Sequence, residues 1–198
     1  MDDVFSKIFT IVDIDKINSK SEFDLFISNL INNPSPLREA VAYKLADICF
    51  DEYLDERSID IILCAITDIN PNVSRCICRA IKNSNILKDC LAYKIILKTD
   101  KILSEISQSD KNENSKSHKK NKILFSLYWL LEALYYCNFS KYNSEVIKIL
   151  QTTITFCDYT IREKTAQLLL ALDNPPVNLV NTLKNDSNFY VNFYTKFI

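Results

Sequence analysis

"NNPSPLREAVAYKLADI", residues 32–48, and "NPNVSRCICRAIKNS", residues 70–84, decide how this chain is read. Both carry Asn-Pro, and each then places an apolar residue, Leu37 or Val73, with an arginine close by. Positions 37 and 73 are 36 apart, the length of two helices with their turns. Four and eight residues further on come Val41 and Leu45 in one stretch, Ile77 and Ile81 in the other. That spacing puts one apolar stripe along one side of a helix. A third stretch, "DYTIREKTAQLLLAL" at 158–172, repeats it with Ile161, Thr165 and Leu169. Three residues past the reference stand the small Ala40 and Cys76, but Lys164 breaks the pattern in the third copy. Arg38 and Arg162 directly follow the reference, while Arg75 comes one place later. A weaker copy begins at Asp186, "DSNFYVNFYTKFI", without the arginine.

Composition narrows the architecture. Among 198 residues there is no glycine. A chain without it lacks the Gly-rich phosphate loop, the dinucleotide fingerprint and the usual nucleophile elbow. Most tight hairpins also prefer glycine, which disfavours β folds. Helices joined by short turns manage without it, because Asn and Asp tolerate left-handed backbone and cap helix ends. Hydrophobic residues at 47% and charged residues at 25% are ordinary for a globular protein. The opening MDDVFSKIF has no basic-then-apolar signal pattern, and the longest apolar stretch, 123–137, is too short to span a bilayer. The expectation is a cytoplasmic protein with no membrane partner. Seven cysteines set in apolar segments fit a reducing compartment, where each serves as a small buried hydrophobe.

Apolar periodicity predicts helices at 2–13, 21–31, about 36–51, 56–68, 72–82 and 86–107. Others follow at 121–138, 143–156, 159–172, 176–184 and 187–197, and Ser21 is the expected cap of the second. Residues 108–120, QSDKNENSKSHKK, hold no aliphatic or aromatic side chain and read as a solvated insertion in a single domain spanning 1–198. No segment alternates with period two.

The repeats "NPSPLREAVAYKLADI" and "DYTIREKTAQLLLAL" resemble those of the HEAT family, related to armadillo repeats. The resemblance covers about two-thirds of the chain, and each motif is a few residues long. It implies an all-α fold: a short right-handed α-solenoid of about five stacked antiparallel helix pairs. Stacking is physically required, since one pair cannot hide its apolar stripe alone. In such families the second helix of each pair lines a concave groove and an arginine staples neighbouring repeats. Arg38 and Arg162 match that arginine, with Arg75 one place out of register.

No catalytic, cofactor or metal residue is assigned. The one histidine, His118, lies in the polar insertion, and Cys76 and Cys78 point to opposite sides of a helix. Glu132, inside the apolar helix "ILFSLYWLLEALYYC", is the one acid expected to be partly buried. Its ordinary reading is a side chain that reaches the solvent edge or accepts a bond from a tyrosine or arginine of the next helix; the other is an active-site acid with a raised pKa. Tyr128, Trp129, Tyr135 and Tyr136 form a candidate aromatic groove on that helix. The aromatic end, Phe189 to Ile198, either caps the stack or supports self-association.

Charge is uneven. Residues 1–60 carry 13 acids and 6 bases, whereas 61–130 carry 6 acids and 12 bases. Arg75, Arg79 and Lys82 fall on one helix face, Lys94, Lys98 and Lys101 on the next, and Lys119, Lys120 and Lys122 follow. These residues make a candidate surface for an anionic partner. The favoured function is a non-enzymatic protein-binding scaffold or adaptor whose groove takes another protein or a peptide. The alternative is nucleic-acid binding through the basic middle. Alkylpurine DNA glycosylases are also built of HEAT-like helices, as are the phycobilin lyases, but no motif of either is matched here residue by residue.

Overall fold

The repeated stripes do become helices. The computed structural model describes residues 2–109 and 117–196, with side chains over 4–107 and 121–196. Among these, eleven α-helices and two 3-10 turns make up the regular structure, and there is no strand. The helices are α1 Asp2–Val12, α2 Lys20–Ser28, α3 Ser35–Leu45, α4 Glu56–Ala65, α5 Pro71–Asn83 and α6 Asn85–Ser109. They continue as α7 Ser117–Tyr135, α8 Asn143–Thr153, α9 Tyr159–Leu170, α10 Val177–Lys184 and α11 Phe189–Thr195. The protein is all-α. None of the described helices is long and apolar enough to cross a membrane.

Local chemistry explains the ends. Asn70 caps α5 by accepting from the Asn72 amide, and Pro71 sits at the first helical position, where no amide hydrogen is needed. Asp158 caps α9 and Asn188 caps α11 in the same way. Ser19, two residues before the expected Ser21, caps α2 by accepting from the Glu22 amide. Glu22 reaches back to the Asn18 amide at 2.9 Å, which sets this earlier start. Asn32, with φ of 55°, is the one described residue in the left-handed region. It makes the turn into α3 that a glycine would usually make.

Of the predicted boundaries, several helix ends shift by a turn or less, and two differences matter for the fold. α3 stops at Leu45 instead of running to Asp51, followed by a 3-10 turn at Asp51–Tyr53. The break lets Phe50 fold back and stack on Phe23, ring centres 5.7 Å apart, where both rings are buried. The predicted insertion at 108–120 is entered by helix from both sides, through Ser109 and from Ser117. Lys111 and Lys116 lie outside the described residues, as do the side chains of His118, Lys119 and Lys120.

The aligned positions are core. Leu37, Val41 and Leu45, Val73, Ile77 and Ile81, and Ile161, Thr165 and Leu169 are each at most 1% exposed. The fourth copy contributes Val191 and Thr195, both at 0%. Each such aliphatic side chain is worth about 1.5–3 kcal/mol on burial. Thr165 is tolerated because its hydroxyl lies 2.8 Å from both the Ile161 carbonyl and the Thr153 hydroxyl. The cysteines depart from expectation: Cys78 and Cys137 are buried, but Cys49, Cys64 and Cys157 are exposed. These three fall at helix ends and in turns, where no second layer covers them.

The chain divides into two compact units, Met1–Leu91 and Ala92–Ile198. In the first, α1 packs on α3, α3 on α5, α2 on α4 and α4 on α5. In the second, α7 packs on α9 and α9 on α11, while α8 and α10 lie against α9 and α10 also meets α11. The pairs two places apart that meet are thus α1–α3, α2–α4 and α3–α5 in the first unit and α7–α9 and α9–α11 in the second.

Candidate interaction surface

Arg38 follows the buried Leu37 and is aimed into the turn after α4. Its Nε lies 2.7 Å from Asp68 Oδ2 and its Nη2 2.8 Å from Asp68 Oδ1. Nη1 donates to the Asn33 carbonyl, so one guanidinium joins the turn before α3 to the turn before α5. Arg162 does the same in the second unit: Nε to Asp186 Oδ2 at 2.6 Å, Nη2 to Oδ1 at 3.1 Å, Nη1 to the Phe156 and Cys157 carbonyls. The planar fork suits a carboxylate, whereas a lysine would reach only one oxygen at a time. The Arg162 hydrogen bond holds the Asp186 carboxyl below the usual range.

The two aspartates have matching surroundings. Asp68 Oδ1 accepts from the Asn70 amide and Asp186 Oδ1 from the Asn188 amide, each at 2.8 Å. Asn70 and Asn188 then cap α5 and α11. Sequence reasoning named the arginines and missed their acceptors. The signal was present, since Asp68-Ile69-Asn70 and Asp186-Ser187-Asn188 spell one capping motif twice.

In the first unit, α1, α3 and α5 leave a groove of about 720 Å³. Ala40 and Cys76, the small residues three past each reference position, line it with Ile8, Val12 and Tyr43. Burial pushes the Cys76 thiol up, so it stays protonated and poorly nucleophilic. Arg75 and Arg79 also line the groove. The Arg79 guanidinium lies 5.4 Å from the Tyr43 ring centre and pairs with Asp47. Glu39 accepts from the Asn70 side-chain amide at 2.8 Å through one oxygen and from that of Asn72 at 2.9 Å through the other. Arg75 is exposed and meets no carboxylate among the described residues.

The corresponding helices of the second unit are closed differently. Lys164, at the place of Ala40 and Cys76, is only 7% exposed. Its Nζ lies 2.5 Å from Glu132 Oε2 on α7, 2.9 Å from Gln167 Oε1 and 5.0 Å from the Tyr128 ring centre. Burial pushes the Lys164 ammonium down, but the hydrogen bond and charge of Glu132, with Tyr128, hold it above the ordinary lysine value. Glu132 Oε1 accepts from the Tyr136 hydroxyl at 3.0 Å. Glu132 therefore accepts from Tyr136, one residue past the end of its own helix, and from a lysine of α9, not from a tyrosine or arginine of the next helix.

No family model matches the chain. No curated protein matches it. Among solved structures it is similar to the crystal structure of an engineered protein, at 12% identity over 98% of this chain and 86% of that one, with a TM-score of 0.43.

The other expected site residues are dispersed. Tyr128 and Trp129 line one cavity of about 460 Å³ between α7 and the start of α9, with Trp129 itself 8% exposed. Tyr135 lines a separate cavity of about 230 Å³. Lys82 is exposed; Lys94 and Lys98 are half-buried; Lys101 and Lys122 are exposed. On α11, Phe189, Tyr190 and Phe193 are 60%, 59% and 40% exposed, with Lys196 near the two phenylalanine rings. Aligning Val191 with Val73 puts Tyr190 where Asn72 stands and Phe193 where Arg75 stands. Phe197 and Ile198 lie outside the described residues.

Proposed function

We propose that this chain is a protein-interaction module of HEAT-like α-solenoid design, and that the α1–α3–α5 groove receives a peptide segment of a partner protein. In this reading the protein is a cytoplasmic, non-enzymatic scaffold or adaptor. Arg38 and Arg162 act as staples, each fastening one helix pair to the next. The observation that carries the reading is the arginine–aspartate brace built twice from the same parts. A device that fixes helix against helix in both units gives a rigid ledge, and binding surfaces are built on rigid elements. The open groove over Ala40 and Cys76 supplies the concavity.

The test fills the groove. Ala40→Trp, whose fold is checked by its circular dichroism and melting curve, is compared with the wild type in affinity capture from lysate of the source cell. The expected outcome is a set of proteins retained by the wild type and lost from the variant. Identical sets would overturn the groove as the binding surface.

A further inference from the structure

The proposed groove, on which this inference rests, has a charge pattern that selects its occupant. Its floor is uncharged, formed by Ala40 and Cys76, with Tyr43 and the α1 side chains Ile8 and Val12 making it apolar. Three charged residues line it: Glu39, Arg75 and Arg79. Both oxygens of Glu39 already accept amide hydrogens from Asn70 and Asn72, which take two of the carboxylate's roughly four acceptor positions. Arg79 is committed to Asp47 and to the Tyr43 ring. Arg75 alone presents an open guanidinium fork, beside an apolar floor.

We infer that the groove takes an extended, acidic segment of a partner protein. A carboxylate of that segment meets the Arg75 fork, and a neighbouring apolar side chain lies on the Ala40–Cys76 floor against Tyr43. An ammonium in the same place would meet two arginines against one glutamate already held by two amides, so basic segments are disfavoured. Nucleic acid fits less well, because duplex binding draws on many phosphate contacts and the groove offers one uncommitted cation over an apolar surface. The equivalent place in the second unit is filled by the Lys164–Glu132 pair, which assigns this binding to the first unit.

The probe is a phage-displayed library of random 12-residue peptides, selected on the full chain and followed by fluorescence anisotropy of the enriched sequences. Enrichment of peptides with Asp or Glu next to an aliphatic or aromatic residue is expected. Arg75→Glu should weaken them at least tenfold, Arg75→Lys by a few-fold, and Ala40→Trp should abolish binding. Arg75 is exposed, so its variants keep the fold even if Ala40→Trp does not; Ala40→Gln serves as a second groove variant. Enriched peptides lost on groove filling but indifferent to Arg75→Glu would overturn the acidic assignment and leave the groove reading standing. Failure to enrich any peptide, or binding untouched by both Ala40 variants, would overturn both. Arg75-dependent binding of a 20-base-pair duplex, or Ala40-dependent self-association in sedimentation, would replace the acidic peptide with that occupant.

Discussion

Arg162 reaches 24 residues along the chain to hold both carboxylate oxygens of Asp186, with the two side chains only 15% and 10% exposed. Removing one member leaves the other charge largely out of water without its partner, which costs more than the pair contributes net.

Arg162→Ala is therefore expected to destabilise the second unit by about 2–3 kcal/mol. Arg162→Lys should recover less than half of this, since an ammonium cannot grip two oxygens and two carbonyls together. Trp129, the one tryptophan, is buried in the same unit and reports its unfolding in urea by fluorescence. A lysine variant as stable as the wild type would show that charge alone, without fork geometry, does the work.

Acid should release this brace. The folded-state pKa of Asp186 is depressed, so its contribution is fully present above the unfolded carboxylate value, about pH 4, and is lost as pH falls through the folded value. Urea midpoints followed at Trp129 between pH 6 and pH 2.5 should decline for the wild type. Asp186→Asn should start lower at pH 6 and decline less steeply.

The Lys164–Glu132 pair gives the opposite sign. Lys164 is held above its ordinary value, so its contribution is complete below about pH 10.4 and is lost as pH rises through the folded value. Glu132→Ala should cost about 3 kcal/mol by stranding the buried ammonium, while Glu132→Leu combined with Lys164→Met should restore most of it. Chemical denaturation of the three proteins decides this. A double variant no better than the single one would mean that Tyr136 and Gln167, left without their partners, dominate the loss.

Asn32 tests the cost of a chain without glycine. Asn32→Ala should destabilise by about 1 kcal/mol, because a Cβ without a local hydrogen-bonding side chain disfavours left-handed backbone. Asn32→Gly should match or exceed the wild type. Thermal melts suffice, and an alanine variant indistinguishable from asparagine would mean that the turn relaxes.

Helices were legible because their signal is local. A stripe such as Val73, Ile77, Ile81 needs only its own segment to declare which side faces inward. The braces were half legible for the same reason. Arg38 stands in a repeated motif, but Asp68 sits in a turn 30 residues away, and nothing adjacent ties the two. Lys164 read as a flaw in the repeat; only the approach of α7 shows that Glu132 balances it. Where α3 stops depends on Phe50 meeting Phe23, and the exposure of Cys49, Cys64 and Cys157 on where the covering layer ends. Such outcomes depend on distant segments, which periodicity does not report.

The two braces enclose different lengths of chain, 30 residues against 24, yet arrive at the same capped turn. Most of the surplus lies in the connector between Leu45 and Glu56, longer than its counterpart between Leu170 and Val177. Geometry is thus anchored at the junctions, and the difference in length is taken up in between. The longer connector also returns Phe50 to the buried Phe23 ring, so its extra residues furnish core, and a tag spliced among them would disturb it.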